Sequence, residues 1–215
     1  MRNVIKDLQI EFRSKMLVSL LLSFCVIVTI SIGFASGGLV STPYIHSILL
    51  WVIIFFAGMN TLSHIFYREI EEGTAAFALI YYSAEIVYVS KLIVNSLVMI
   101  LVCFIVGVLY LFTMDVPLYH AGYFIWMMLV GGISLSLSTT IIAAISALAQ
   151  ARGGIFTVLA FPVILPLLTV VIKTTTLCFF KENFSPISAI IFLLAFSILL
   201  GVASYILFPY IWREF

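Results

Sequence analysis

The chain has 215 residues, of which 64% are hydrophobic and 9% charged, with a formal net charge of +1 and a mean hydropathy of +1.29. Soluble domains run at roughly 45–50% apolar and about 25% charged, so this composition excludes a soluble enzyme and a nucleic-acid binder. It indicates an all-α polytopic membrane protein, with residues 1–215 forming a single transmembrane domain and no room for a separate soluble one.

At the start of the chain, Met1, Val4, Ile5, Leu8 and Phe12 recur at helical spacing opposite Arg2, Lys6, Asp7, Gln9 and Arg13. That pattern predicts an amphipathic helix lying in the membrane interface, with Arg13 and Lys15 at its end; a frayed basic tail that only sets topology is the competing reading. Six segments are then long and apolar enough to span: 16–34, 48–66, 92–112, 123–148, 155–172 and 187–210. The first is read as a retained span rather than a signal peptide, because its apolar region exceeds the usual 7–15 residues and Asp7 and Glu11 interrupt the basic flank.

Basic residues orient the bundle. Arg2, Lys6, Arg13, Lys15, Arg68, Lys91, Arg152 and Arg213 fall on one side, and only Lys173 and Lys181 on the other. The positive-inside rule then puts both termini in the cytoplasm. Connections 35–47, 113–122 and 173–186 are translocated, and all are short.

One cytoplasmic connection is unusual. Arg68, Glu69, Glu71 and Glu72 end the second span and are followed by Gly73, Thr74 and an apolar, helix-capable run that includes Phe77 and Leu79. Exposed apolar surface of that extent calls for a partner, and acid at its start favours a helix electrostatically. The segment 68–82 therefore reads either as a cytoplasmic docking helix between spans 2 and 3 or as a helix lying on lipid.

Within the spans, Pro162 and Pro166 each remove a backbone donor, so the fifth helix is expected to be kinked or broken. Gly131, Gly132, Ser134, Ser136 and Ser138 offer small side chains for close helix approach, with a polar path as the competing reading. Trp51, Trp126 and Trp212 are read as interfacial belt residues. Cys25, Cys103 and Cys178 are far apart, without CxxC spacing, and are read as packed thiols.

Several chemistries are missing. None of the 12 glycines precedes a lysine, so the chain lacks a P-loop of its own. Ser134 follows a Gly-Gly-Ile stretch, but no histidine base comes after it, which disfavours an intramembrane serine protease. His46, His64 and His120 are not at ligand spacing and read as hydrogen-bonded anchors; no metal site is expected, and the chain is not expected to be an enzyme.

The stretch "YREIEEGTAAFALI" resembles the coupling segment of ABC-2 type permeases. Over nearly its full length the chain resembles the CcmB family, haem exporter protein B of bacterial cytochrome c maturation. Residues 10–15, "IEFRSK", and 151–168, "ARGGIFTVLAFPVILPLL", carry that likeness most specifically. Where the family often has Leu-Glu after Gly-Thr and a later Ser-Pro, this chain has Ala75-Ala76 and Tyr81-Tyr82.

The resemblance implies a permease subunit of the bacterial inner membrane. It would couple ATP hydrolysis on a separate subunit, CcmA, to haem export or to release of a haem-loaded chaperone. Coupling would run through Arg68, Glu69, Glu71, Glu72, Gly73, Thr74, Phe77 and Leu79, with Arg152, Gly153 and Gly154 as a second cytoplasmic contact. CcmC, CcmD, indirectly CcmE, a second copy of the chain and membrane lipid would be partners. Haem would be cargo rather than a bound cofactor, and ATP would sit on the partner. Two rival readings are an ABC-2 exporter of a lipid, drug or glycan, and a membrane scaffold that needs no ATPase.

Overall fold

The structure, a computed structural model, describes residues 15–36, 42–62, 83–148, 154–182 and 184–212. Their regular structure is six α-helices: α1 (Lys15–Ser36), α2 (Pro43–Leu62), α3 (Ala84–Met114), α4 (Ala121–Leu148), α5 (Gly154–Cys178) and α6 (Ile187–Trp212). Four stretches are long and apolar enough to cross a membrane: Ala84–Met114, Ala121–Ser146, Phe161–Cys178 and Ile187–Tyr210. The apolar stretches of the first two helices, Leu21–Ser36 and Pro43–Met59, are shorter. The chain is an all-helical integral membrane protein. The expected interfacial helix before residue 15 and the docking helix within 68–82 lie outside the described residues.

Three helices begin or end several residues away from the apolar runs in the sequence. The second starts at Pro43 rather than 48, because proline at a first helical position sacrifices no bond and the amides of Ile45 and His46 reach the Thr42 carbonyl at 3.1 and 3.4 Å. The third starts at Ala84 rather than 92, which moves Glu85 and Lys91 from a connection onto a helix. The cause is periodic: Val87, Tyr88, Lys91, Val94 and Asn95 form one buried face whose 3.6-residue repeat runs straight through the charges. The fifth continues to Cys178 rather than 172, with Lys173 facing outward and Thr174, Thr175 and Thr176 buried. The hydroxyls of Thr174 and Thr176 donate to the carbonyls of Val170 and Ile172, so these residues bury without orphaned donors.

α5 also runs unbroken through Pro162 and Pro166. The lost backbone bonds do not end it.

α4 is the centre of the bundle and packs against α2, α3, α5 and α6, whereas α1 lies at the edge on α2 and α3. Its small residues explain the position. A Cβ added to Gly131 would overlap the Trp51 ring and stand 3.1 Å from Val171 Cγ1; one added to Gly132 would stand 2.9 Å from Cys103 Sγ. Trp51 is fully buried, not a belt residue, and its Nε1 donates to Thr175 Oγ1 at 2.9 Å. Trp126, more than half exposed, remains on the outside.

Inside and outside are distributed as lipid dictates. Ser134, Ser136, Ser138, Thr139 and Thr140 are buried, while Phe104, Phe112, Ile198 and Leu199 are among the most exposed side chains. Hydrocarbon is as apolar as leucine, so helix association there relies on close packing of small residues and on interhelical hydrogen bonds. The glycines and serines of α4 serve packing, as the first of the two sequence readings expects, and the three cysteines are buried free thiols.

Candidate functional site

Cross-helix contacts define the two ends of the bundle. At one end the start of α2 meets the end of α3, where His46 Nδ1 lies 3.1 Å from the Tyr110 hydroxyl. The end of α1 joins them, with Ser36 Oγ 3.5 Å from Met114 Sδ. At the opposite end the start of α3 meets the end of α6 through the Tyr88 and Phe208 rings, 4.9 Å apart. There too the later part of α4 approaches α3, and Asn95 Nδ2 donates to Thr140 Oγ1 at 2.7 Å.

The sequence-predicted coupling residues all attach to this second end. α2 finishes at Leu62 and α3 starts after Ser83, so both flanks of segment 63–82 are there; α4 finishes at Leu148 and α5 starts at Gly154, so 149–153 is there as well. Arg68, Glu69, Glu71, Glu72, Gly73, Thr74, Phe77 and Leu79 lie outside the described residues, as do Arg13, Arg152 and Gly153. Lys15 and Gly154 are the first residues of α1 and α5. The described flanks of these two connections thus lie at a common end of the bundle.

The entry of α3 into that face is built locally. The Ser83 carbonyl accepts from the amides of Ile86 and Val87 at 3.1 and 3.2 Å. Glu85 occupies the first turn, where a carboxylate complements the helix dipole. Nearly two turns beyond Glu85, Lys91 is only 7% exposed and is not without a partner. A buried charge is costly unless it is paired, and Lys91 lies on the same buried face of α3 as Val87, Val94 and Asn95. Sequence reading counts it among the basic residues just outside the 92–112 span; the signal it passed over is its match to the spacing of Val87, Val94 and Asn95.

The first end carries an aromatic cap. Amides of Tyr119 and His120 donate to the Cys178 carbonyl at 3.1 and 3.2 Å, which closes the C-terminus of α5. The His120 ring stacks 6.0 Å from Tyr123 and meets Phe184 edge-on at 5.2 Å, while its Nε2 bonds the Glu182 carbonyl at 3.1 Å. Lys181 Nζ stands 5.5 Å from the centre of the Tyr119 ring. Both described histidines therefore act as hydrogen-bonded anchors, as expected. Among the described residues no three of His, Cys, Asp or Glu gather to hold a metal.

A bundle of apolar helices around a small-residue core, with two polar connections leaving one end, fits a permease subunit. The family model described as "CcmB protein" matches residues 1–210. The chain belongs to the CcmB family. Membership makes this CcmB-family chain a membrane component of the haem-exporter permease class, and the match reaches into all six helices. Among curated proteins, none matches the chain.

Proposed function

We propose that this CcmB-family chain is a six-span permease subunit of the bacterial inner membrane that converts ATP hydrolysis on CcmA into motion of its bundle. In this reading α1 and α2 complete the membrane crossing alongside the four longer spans, residues 1–215 act as one domain, and both termini are cytoplasmic. The chain itself is not the enzyme and holds no cofactor. CcmC, CcmD, indirectly CcmE, and a second copy of the chain are its companions. The family match over residues 1–210 carries the proposal.

Coupling runs through Arg68 to Leu79 and through Arg152, Gly153 and Gly154. Support comes from the shared end at which both connections attach. Of the two outputs, release of a haem-loaded chaperone is favoured over passage of haem through one subunit. The Trp51 ring occupies the space beside Gly131, and Cys103 occupies that beside Gly132, at the middle of α4; the centre of the bundle is packed with side chains.

The test is affinity purification of a tagged chain from its native membrane, with cytochrome c content measured in a deletion strain. A P-loop ATPase among the companions and loss of all c-type cytochromes are expected. Normal cytochromes c in the deletion strain would sink the proposal.

A further inference from the structure

Interhelical hydrogen bonds in this bundle fall into two kinds. Some leave nothing unpaired when they break. Ser134 and Ser197 touch across α4 and α6 at 2.6 Å, and each hydroxyl also has a carbonyl of its own helix within reach, Val130 at 2.8 Å and Leu193 at 2.7 Å. On separation both hydroxyls fall back on those carbonyls, the usual local partner of a helical serine. Other bonds have no such fallback. Trp51 Nε1 is a donor only and reaches Thr175. Asn95 already has a buried Oδ1 without a partner, so parting from Thr140 would strand its whole amide.

The two kinds are not distributed evenly. The binding without fallback ties α2 to α5 and α3 to α4. α6 is the least buried of the four long spans. It packs mainly along α4, less on α3 and less again on α5, and at Gly201 only the tip of Leu137 approaches, at 3.4 Å from an added Cβ. Near the N-terminus of α6 Leu193 is buried and Phe184, just ahead of the helix, meets His120 and Tyr123 through ring contacts, whereas near its C-terminus Phe208 is fully buried against Tyr88. The next residue, Pro209, lies inside the helix and leaves the Tyr205 carbonyl without its ladder donor, which loosens the helix at that point.

We propose that α6 is the moving arm of the bundle, pivoting at Phe208 and Pro209 and released at the Ser134–Ser197 contact, while α2 to α5 stay together. The arm from Ser197 to Phe208 is about 16 Å at 1.5 Å per residue. A small tilt at the pivot opens the far end of α6 from α4, parting the Phe184 ring from His120 and Tyr123, and uncovers the hydroxyl face at Ser134. The inference rests on the reading of the chain as an ATP-driven permease and goes beyond it in naming the element that moves.

The test uses the purified complex with its ATPase. Two cysteine pairs are compared, each in a background whose native cysteines are replaced by alanine: S134C with S197C across α4 and α6, and S96C with S136C across α3 and α4, whose serine oxygens lie 3.2 Å apart. In each pair the hydroxyl oxygens face each other across the helices, where the cysteine sulfurs would stand. Oxidation of the first pair should lower ATP turnover about tenfold, as expected when a conformational step limits the rate, and reductant should restore it. Oxidation of the second should change it by no more than about twofold. Each reduced protein reports its own folding.

Unchanged turnover with the first lock, or equal loss with both, overturns the proposal. A complex that contains no ATPase overturns the permease reading instead. As a second measurement, spin labels at I125C and I187C, both lipid-facing positions, should move apart on ATP addition; a fixed distance counts against the arm.

Discussion

The indole of Trp51 on α2 fills the notch that Gly131 leaves on α4, and the same ring donates to Thr175 on α5 at 2.9 Å. Three helices are thereby fixed by one side chain. Because membrane helices gain little from apolar burial against each other, such an interlock contributes more to the shape of this bundle than its size suggests.

Gly131→Ala should therefore be destabilising, on the order of 1–3 kcal/mol, by overpacking against an immobile ring. Trp51→Phe loses the bond to Thr175, worth about 0.6 kcal/mol in a membrane bundle, and also the outer indole atoms beside Gly131, so the cavity left there adds to the cost. Unfolding midpoints in mixed micelles would rank the two; a Gly131→Ala protein as stable as the parent would contradict the interlock.

The Asn95–Thr140 pair predicts an asymmetry. Asn95→Leu removes an amide whose Oδ1 is already unpaired and leaves Thr140 Oγ1 its bond to the Ser136 carbonyl at 2.7 Å, so stability should hardly change. Thr140→Val strands the amide and should cost about 1–3 kcal/mol. A double-mutant comparison checks this directly, and equal costs for both single variants would refute it.

Cys25, Cys103 and Cys178 are each about 1% exposed or less. Reactive cysteines need access and thiolate character, so a membrane-permeant maleimide should label none of them in the folded protein and all three after denaturation. Stoichiometric labelling of Cys103 in native membranes would show that α3 and α4 separate at Gly132.

Glu72→Lys tests the coupling assignment. Reversing a charge at a docked contact costs on the order of 2–5 kcal/mol when the pair is desolvated, so ATPase co-purification should fall sharply while the permease still accumulates in the membrane. Retention of the ATPase at parental levels would remove Glu72 from the contact.

Much of this architecture could be read from the residues. Composition fixed the membrane class, and the Gly131-to-Ser138 stripe announced close packing before its neighbours were known. Helix ends were harder to read, because apolar runs mark lipid-facing length whereas helices end where hydrogen bonds do. Lys91 and the threonines 174 to 176 interrupt the apolar runs yet belong to helices, since intrahelical acceptors or buried partners satisfy them. Trp51 was misplaced for a different reason: belt position is a statistical habit of tryptophan, while a glycine opposite it on another helix is a tertiary fact that no local window contains. The proposed coupling residues from Arg68 to Leu79 are legible only as a pattern, and the described structure gives only the helix ends that flank them.

The serines and threonines of α4 have a bearing on how the protein is made. Ser134, Ser138, Thr139 and Thr140 each donate to a carbonyl three or four residues earlier in the same helix, so their hydroxyl donors are satisfied before any neighbour arrives. A nascent chain leaving the translocon can park this hydroxyl-rich segment in lipid while α5 and α6 are still being synthesised, and the late helices then dock onto a surface already at rest.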